Sequence, residues 1–415
     1  MRGKLLDLLR GEIYPSGRSS IYIPGFFNFV INFAIGALAT IFVFVPLSLV
    51  WPIQILVKRQ MSEKKVSFMV EELEGTLRQT LPVGKNHKSI LVGPYYSDFP
   101  NHQLAKMYGK YYKFLTTRNK RVHRVVDYVW PIFGVTRSKV KNSAVDFYKA
   151  WNSSGPLIRF SSFEIRAGEK YLSDLFAGSR RPYITFCHGS KAYRETVDVH
   201  DRNFVERPLS WISVELYRDA IEYLNLAGFN VARFGKYQDQ DQERIDKLSS
   251  NFYDACQSRS DFSDVFLNSR CSFILSGVSG GWWLGAPFNK PVVSTNLPSP
   301  IGTIGANDLF IPCMPWIVKE QIFASFSWQF ENFNWSSDHS KLGSYYIGVR
   351  TLPSQIVDLV DEMLRRLSGE WIDTVEDLEL QARFKKLQDF LNPNIRTPAK
   401  IGAKFLREHQ HLLPD

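Results

Sequence analysis

Cysteine is scarce in this 415-residue chain: Cys187, Cys256, Cys271 and Cys313 are the only four, and none forms a CxxC pair or a Cys/His set with metal-ligand spacing. A disulfide framework is therefore not expected, and thiols set inside apolar stretches fit a reducing compartment. Walker A and GxGxxG patterns are absent, as are any repeat of fixed period, any low-complexity linker and any nucleic-acid-binding motif. Charge is missing from one region altogether, since no Asp, Glu, Lys or Arg occurs from 21 to 57.

That charge-free run is the most specific physical signal in the chain. A membrane span needs about 20 apolar residues, and a helix over the whole run would exceed a hydrocarbon core of roughly 30 Å. The run must therefore bend or lie flat, and Pro24, Pro46 and Pro52 offer the breaks. Both flanks are basic, with Arg2, Lys4, Arg10 and Arg18 before it and Lys58, Arg59, Lys64 and Lys65 after it. By the positive-inside rule this symmetry favours a re-entrant hairpin over a single span, and either arrangement leaves the following part cytoplasmic.

The rest of the chain is rich enough in apolar residues, 44% hydrophobic and 14% aromatic overall, to bury cores for two domains of ordinary size. A formal charge of +10 favours anionic partners without choosing among them. Positions 66–81 read as a helix, 88–94 as a short buried strand, and 101–115 as a helical stretch that leads into a basic segment extending to Lys141. That segment could face anionic headgroups or simply water. Farther on, strands are expected at 182–187, 229–233, 271–275 and 291–295. Helices are expected at 211–227, closed by Gly228, and at 263–269. Strand, helix and strand with glycine at the joins is the βαβ pattern of a parallel sheet with helices on its faces. Beyond Pro353 the chain reads as amphipathic packing helix, with Ile356, Leu359, Val360, Met363 and Leu364 on one side.

Two segments could carry chemistry. Ser276-Gly277-Val278-Ser279-Gly280-Gly281 lies between a strand and an apolar helix expected to begin near Trp282. Such a turn presents backbone N–H groups and the positive end of a helix dipole, which suits a diphosphate; glycine turns also arise from close packing alone. The second segment, 188–203, follows directly on a strand, where open α/β sheets bind their ligands. Transfer of a group from a diphosphate to a hydroxyl needs a base and cations. His188 or Glu195 could be the base; Arg194, Arg202 or Arg233 could be the cations. A solvated loop with one structural histidine is the plainer alternative. Asp239 and Asp241 have DxD spacing but sit in a generic polar loop, so no metal site is assigned.

Four stretches together resemble a family of bacterial glycosyltransferases of surface-polysaccharide assembly, distantly similar to the two-Rossmann-domain enzymes that include O-fucosyltransferases. They are Phe186-Cys-His-Gly-Ser-Lys-Ala-Tyr-Arg194, Asp201-Arg-Asn203, Gly228-Phe-Asn-Val-Ala-Arg-Phe-Gly235 and the region from Ser260 through Gly280 to Asn296. The resemblance implies an α/β fold of two Rossmann-like domains (GT-B architecture) preceded by the hydrophobic membrane segment. On that reading residues 1–65 anchor the chain, 66–205 form an acceptor domain, 206–352 a nucleotide-sugar domain, and 353–415 are helices packed on them. His188 would be the base, with Glu195 beside it, and Arg194 and Arg202 would contact phosphate. Arg233, Ser276, Gly277, Ser279, Gly280, Gly281 and Asn296 would hold a nucleotide-sugar donor, with no metal or other cofactor required. The expected partners are that donor, a lipid-linked or polysaccharide acceptor, and the membrane through 21–57. Nucleic acid is not expected, and the location would be a bacterial inner membrane with the catalytic part cytoplasmic. A nucleotide-sugar epimerase on the same scaffold and a non-catalytic scaffold of a glycan assembly complex are the competing readings.

Overall fold

The computed structural model describes residues 30, 34, 38, 41–42, 66–80, 89–93, 99–116, 144–189, 212–235, 249–332, 346–392 and 397–414. Of the charge-free run, Val30, Ala34, Leu38, Ile41 and Phe42 are described, and all five are helical and exposed. Among the described residues no helix is long and apolar enough to cross a membrane, and the remainder of the expected anchor lies outside them.

The chain forms two compact units. One comprises Met1–Lys64, Thr80–Pro100 and Tyr108–Lys141; the other comprises Lys65–Gln79, Asn101–Met107 and Asn142–Asp415. In chain order the elements begin with α1 (Val66–Thr80), β1 (Ser89–Gly93), α2 (His102–Tyr108), β2 (Tyr112–Thr116), α3 (Ala144–Ser153), α4 (Ser162–Leu175) and β3 (Tyr183–Cys187). They continue with α5 (Arg218–Leu226), β4 (Asn230–Arg233), β5 (Phe252–Asp254), α6 (Asp261–Arg270), β6 (Ile274–Ser276), β7 (Val292–Leu297), β8 (Leu309–Pro312), β9 (Met314–Ile317) and β10 (Ile322–Phe323). The last are α7 (Phe326–Asn332), β11 (Tyr346–Val349), α8 (Pro353–Ser368), α9 (Val375–Leu391), β12 (Lys400–Ile401) and α10 (Ala403–Glu408).

In the first unit β1 and β2 pair in parallel, Ser89 opposite Tyr112 and Gly93 opposite Thr116. The helix expected over 101–115 therefore stops at Tyr108, and its second half is strand. Tyr112-Lys-Phe-Leu-Thr116 carries aromatic and β-branched residues that suit a pleated ribbon.

The second unit is built on a seven-stranded sheet in the order β12-β8-β7-β6-β3-β4-β5, with every neighbouring pair parallel. Successive residues of β3 point to opposite faces, as the two-residue period requires. Ile184 and Phe186 enter a core with Tyr217, Ile221 and Leu224, joined by Ile356, Leu359 and Val360 of α8. On the other face Tyr183 donates its hydroxyl to Leu267 O at 2.9 Å, and Thr185 Oγ1 bonds Asn268 Oδ1 at 2.9 Å, both on α6. Helices cover both faces, so the strands read as continuous apolar runs rather than alternating ones.

Two expectations change here. The boundary at 205 falls between β3 and β4, which are hydrogen-bonded neighbours, so β3 belongs to the same sheet as the strands after it. The tail is not only helical either: Lys400 and Ile401 pair with Leu309 and Phe310 as the outermost strand.

Candidate functional site

Counted from β3, the chain lays down β4 and β5 on one side, then returns to the other side for β6, β7, β8 and β12. The order reverses between β3 and β6, and in open α/β sheets ligands bind beyond the carboxyl ends of the strands at such a reversal. His188 and Gly189 leave β3 at that point, and the turn 277–281 leaves β6 beside them. Gly277 N donates to Cys187 O at 2.9 Å. A Cβ placed on Gly277 would lie 3.4 Å from the His188 Cβ and only 2.6 Å from the Tyr217 hydroxyl. The described start of one segment that sequence chemistry singles out, His188–Gly189, thus meets the other, the turn 276–281, at the switch point.

The turn is fixed from below. Cys187 Sγ approaches Ser276 Oγ at 3.5 Å, and Ser276 Oγ donates to Gly277 O at 2.8 Å. The Tyr217 hydroxyl and Thr295 Oγ1 lie 2.8 Å apart, and Thr295 Oγ1 reaches Ser276 O at 3.5 Å. Asn296 adopts a left-handed φ of 57°, which suits asparagine, and its Oδ1 accepts from Thr351 N at 2.8 Å. Ser276 and Asn296 are therefore buried parts of the frame whose bonds run to the protein, a role that residue type alone does not distinguish from ligand contact. Burial also pushes the Cys187 thiol up to about 11, which leaves it a poor nucleophile.

Above this frame the turn opens. Ser279 Oγ accepts from Gly281 N at 3.1 Å and caps a short 3₁₀ turn, Gly280–Leu284, where an α-helix was expected from Trp282. Gly280 is exposed, and the nearest atom to a Cβ there would be Ser67 Oγ at 3.6 Å. At Gly281 a Cβ would crowd Phe234 at 3.1 Å and Cys187 Sγ at 3.2 Å. None of the three glycines has a positive φ, so close packing requires glycine at 277 and 281, and neither reason applies at 280. The segment after the turn is held by Arg78 of α1. This residue is fully buried against Glu74 at 2.8 Å and donates to Trp151 O at 2.7 Å and Pro287 O at 3.0 Å.

His188 is half-buried, with its ring stacked on Phe186 at 5.4 Å and Nδ1 3.2 Å from Gly189 O. Arg233 ends β4 and is only 3% exposed, 3.9 Å from the Asp254 carboxylate. Arg194, Glu195 and Arg202 lie outside the described residues, as do Asp239 and Asp241. Among the described residues no group of three or more His, Cys, Asp or Glu could hold a metal ion. All four cysteines are free and buried. Residues that the sequence left unmarked also belong to this edge: Tyr217, Thr295, Arg350 and Thr351. Tyr217 lies in a short 3₁₀ turn, Thr295 in β7, and Arg350 and Thr351 between β11 and α8, and only the folded contacts bring them here.

No family model and no curated protein matches the chain. Among solved structures it is similar to E. coli ADP-heptose LPS heptosyltransferase II, at 15% identity over 76% of this chain and 99% of that one, with a TM-score of 0.44. It is also similar to a glycosyl transferase of family 9 from Veillonella parvula, at 15% identity over 60% and 82% of the two chains and a TM-score of 0.39. A third is TibC, an iron-containing dodecameric glycosyltransferase from enterotoxigenic E. coli, at 12% identity over 76% and 77% with a TM-score of 0.32. Likeness this shallow carries no argument about activity, which rests on the site itself. The resemblance to O-fucosyltransferases stays an expectation from sequence.

Proposed function

We propose that this protein is a glycosyltransferase that moves a sugar from a nucleoside diphosphate donor onto a surface-glycan precursor. The observation that carries the reading is the meeting of His188 with the Ser276–Gly281 turn at the reversal of strand order, sealed by the bond from Gly277 N to Cys187 O at 2.9 Å. A diphosphate placed on the open side of the turn would face the backbone near Gly280, while the acceptor hydroxyl would approach His188. If Nδ1–H is directed to Gly189 O, Nε2 carries the lone pair for the acceptor's proton; that nitrogen is buried here, so the acceptor would have to displace what covers it. Departure of the nucleoside diphosphate then needs stabilised negative charge rather than covalent help. Arg194 and Arg202 are proposed to add to that stabilisation, with Glu195 as a second proton acceptor.

Several finer features belong to the same proposal. They are a second Rossmann-like domain continuing the parallel β1–β2 pair, a mechanism without metal, a lipid-linked acceptor, and a bacterial inner-membrane location through 21–57 with the catalytic part cytoplasmic. Binding at the acceptor's own surface would raise its effective concentration.

A screen of nucleoside diphosphate sugars for thermal stabilisation tests the reading, since a ligand that binds only the folded state raises the melting temperature. At least one donor is expected to do so and to be consumed when a polyprenyl phosphate acceptor is supplied. Conversion of the donor with no acceptor present would point to an epimerase, and no stabilisation by any donor would leave a non-catalytic scaffold.

A further inference from the structure

We propose that the acceptor is a lipid-linked phosphate bearing one or a few sugars, glycosylated beside its lipid, and not the far end of a long polysaccharide. This rests on the reading above in placing a glycosyltransferase in a membrane through 21–57, and it adds which end of the acceptor the site can reach.

The glycine turn touches the first helix after the charge-free run. A Cβ placed on Gly280, on the open side of the turn, would lie 3.6 Å from Ser67 Oγ and 3.7 Å from Ser67 Cβ. Ser67 is the second residue of α1. The rest of the helix is fixed in the same unit. Met69, Val70, Leu73 and Leu77 are buried at helical spacing. At the far end Arg78 pairs with Glu74 at 2.8 Å and donates to Pro287 O at 3.0 Å and to Trp151 O at 2.7 Å. Gly75 packs so tightly on Phe147 of α3 that a Cβ there would lie 2.3 Å from the ring. The helix thus meets the segment 280–287 near both of its own ends, and moving it off the turn would break buried contacts.

Chain length then sets a bound. Eight residues, 58–65, separate Val57, the end of the charge-free run, from the start of α1. An extended chain advances at most about 3.6 Å per residue, so Ser67 lies within about 36 Å of Val57 and the turn within about 40 Å. With the run in lipid, a headgroup layer of roughly 5–8 Å takes up part of that distance, and the donor turn is confined to a zone next to the bilayer. Lys58, Arg59, Lys64 and Lys65 against Glu63 alone make the connecting stretch basic, which suits a surface of anionic lipid phosphates.

The first sugars of a lipid-linked precursor lie in that same zone. The far end of a long glycan visits it with a probability that falls roughly as the −3/2 power of its length, so a tethered site seldom meets it. In the transfer, the bond from the donor's anomeric carbon to the diphosphate breaks with its electron pair going to the nucleoside diphosphate. A bond to the acceptor's hydroxyl oxygen forms, and the hydroxyl proton passes to the base.

The test uses bacterial membranes carrying the full chain, supplemented with a polyprenyl diphosphate sugar and given UDP-, GDP- and ADP-hexoses tritiated in the sugar. Products are separated into an organic-extractable lipid fraction and precipitated polymer, and label is expected in the lipid fraction. A flexible Gly/Ser insert of about 40 residues between Met61 and Ser62 makes the connection about six times longer. It should lower the rate of lipid labelling by about 10- to 15-fold, the same −3/2-power dilution, at an unchanged melting temperature. A second measurement needs no donor and stands if the insert fails to fold. All four natural cysteines are buried, so Ser67→Cys can be labelled selectively, and energy transfer from its dye to headgroup-labelled phosphatidylethanolamine and phosphatidylglycerol vesicles should be efficient. Label confined to polymer, lipid labelling unaffected by the insert, or absence of energy transfer from position 67 would each overturn the inference and leave the transferase reading standing. No label in either fraction would overturn both.

Discussion

The two edges of the seven-stranded sheet solve the same problem in different ways. At the amino edge the buried Asp308 carboxylate accepts from Val292 N at 2.9 Å and Gly305 N at 2.8 Å, while its own carbonyl accepts from Lys400 N at 3.0 Å. One residue thus ties the starts of β7, β8 and β12 and is consumed by the protein. The carboxyl edge has an inner tier of the same kind in Ser276, Thr295, Asn296 and Tyr217. Its outer tier of Gly280 and His188 remains at least partly exposed. Polar groups that close on themselves hold a fold, and the outer ones keep some exposure to solvent. On the proposed reading, the difference separates stability from function within a single sheet.

Substitutions can break or sharpen this contrast. The largest expected effect is on the amino edge: Asp308→Ala strands one buried and one part-buried N–H group and should cost about 2–5 kcal/mol by denaturant unfolding, with donor affinity of the folded fraction unchanged. Weaker binding in that folded fraction would mean that the two edges are not independent.

Gly277→Ala comes next, because its Cβ would meet the Tyr217 hydroxyl at 2.6 Å. Overpacking of this kind costs about 1–3 kcal/mol, and here donor binding should fall together with the melting temperature. Retained affinity would show that the turn does not touch the ligand.

Asp308 also has a pH signature. Burial raises its carboxyl to about 6 despite the N–H bonds, so its contribution to stability is present below the usual carboxylate range and is lost as pH rises from about 4 to about 6. Asp308→Asn should remove that component, of order 1–3 kcal/mol, from the difference between unfolding free energies at pH 4 and pH 7. An unchanged pH dependence would assign it elsewhere.

The smallest effect is expected at Gly280→Ala, which meets nothing closer than 3.6 Å. Its stability should shift by no more than about 0.5 kcal/mol, in contrast to Gly277→Ala. A large loss would show that position 280 is packed rather than open.

Much of the α/β frame is legible in the chain because breakers flank its strands. Pro182 precedes β3 and Pro291 precedes β7, while Gly228 turns at a φ of 89° between α5 and β4. Two of the short strands are not legible: β5 has three residues and β12 two, and each exists only through its neighbour. At the site, the sequence marks His188 and the glycine turn because both follow apolar runs. It cannot tell that Arg233 is buried 3.9 Å from the Asp254 carboxylate. Nor can it tell that Asn296 Oδ1 accepts from a backbone amide, Thr351 N.

The place of β12 has a consequence for synthesis. Its partner β8 is made almost a hundred residues earlier, so as the chain leaves the ribosome the sheet stays one strand short until the tail follows. During that interval β8 is an open edge able to pair with another nascent chain, and a product truncated before residue 400 would keep that liability permanently.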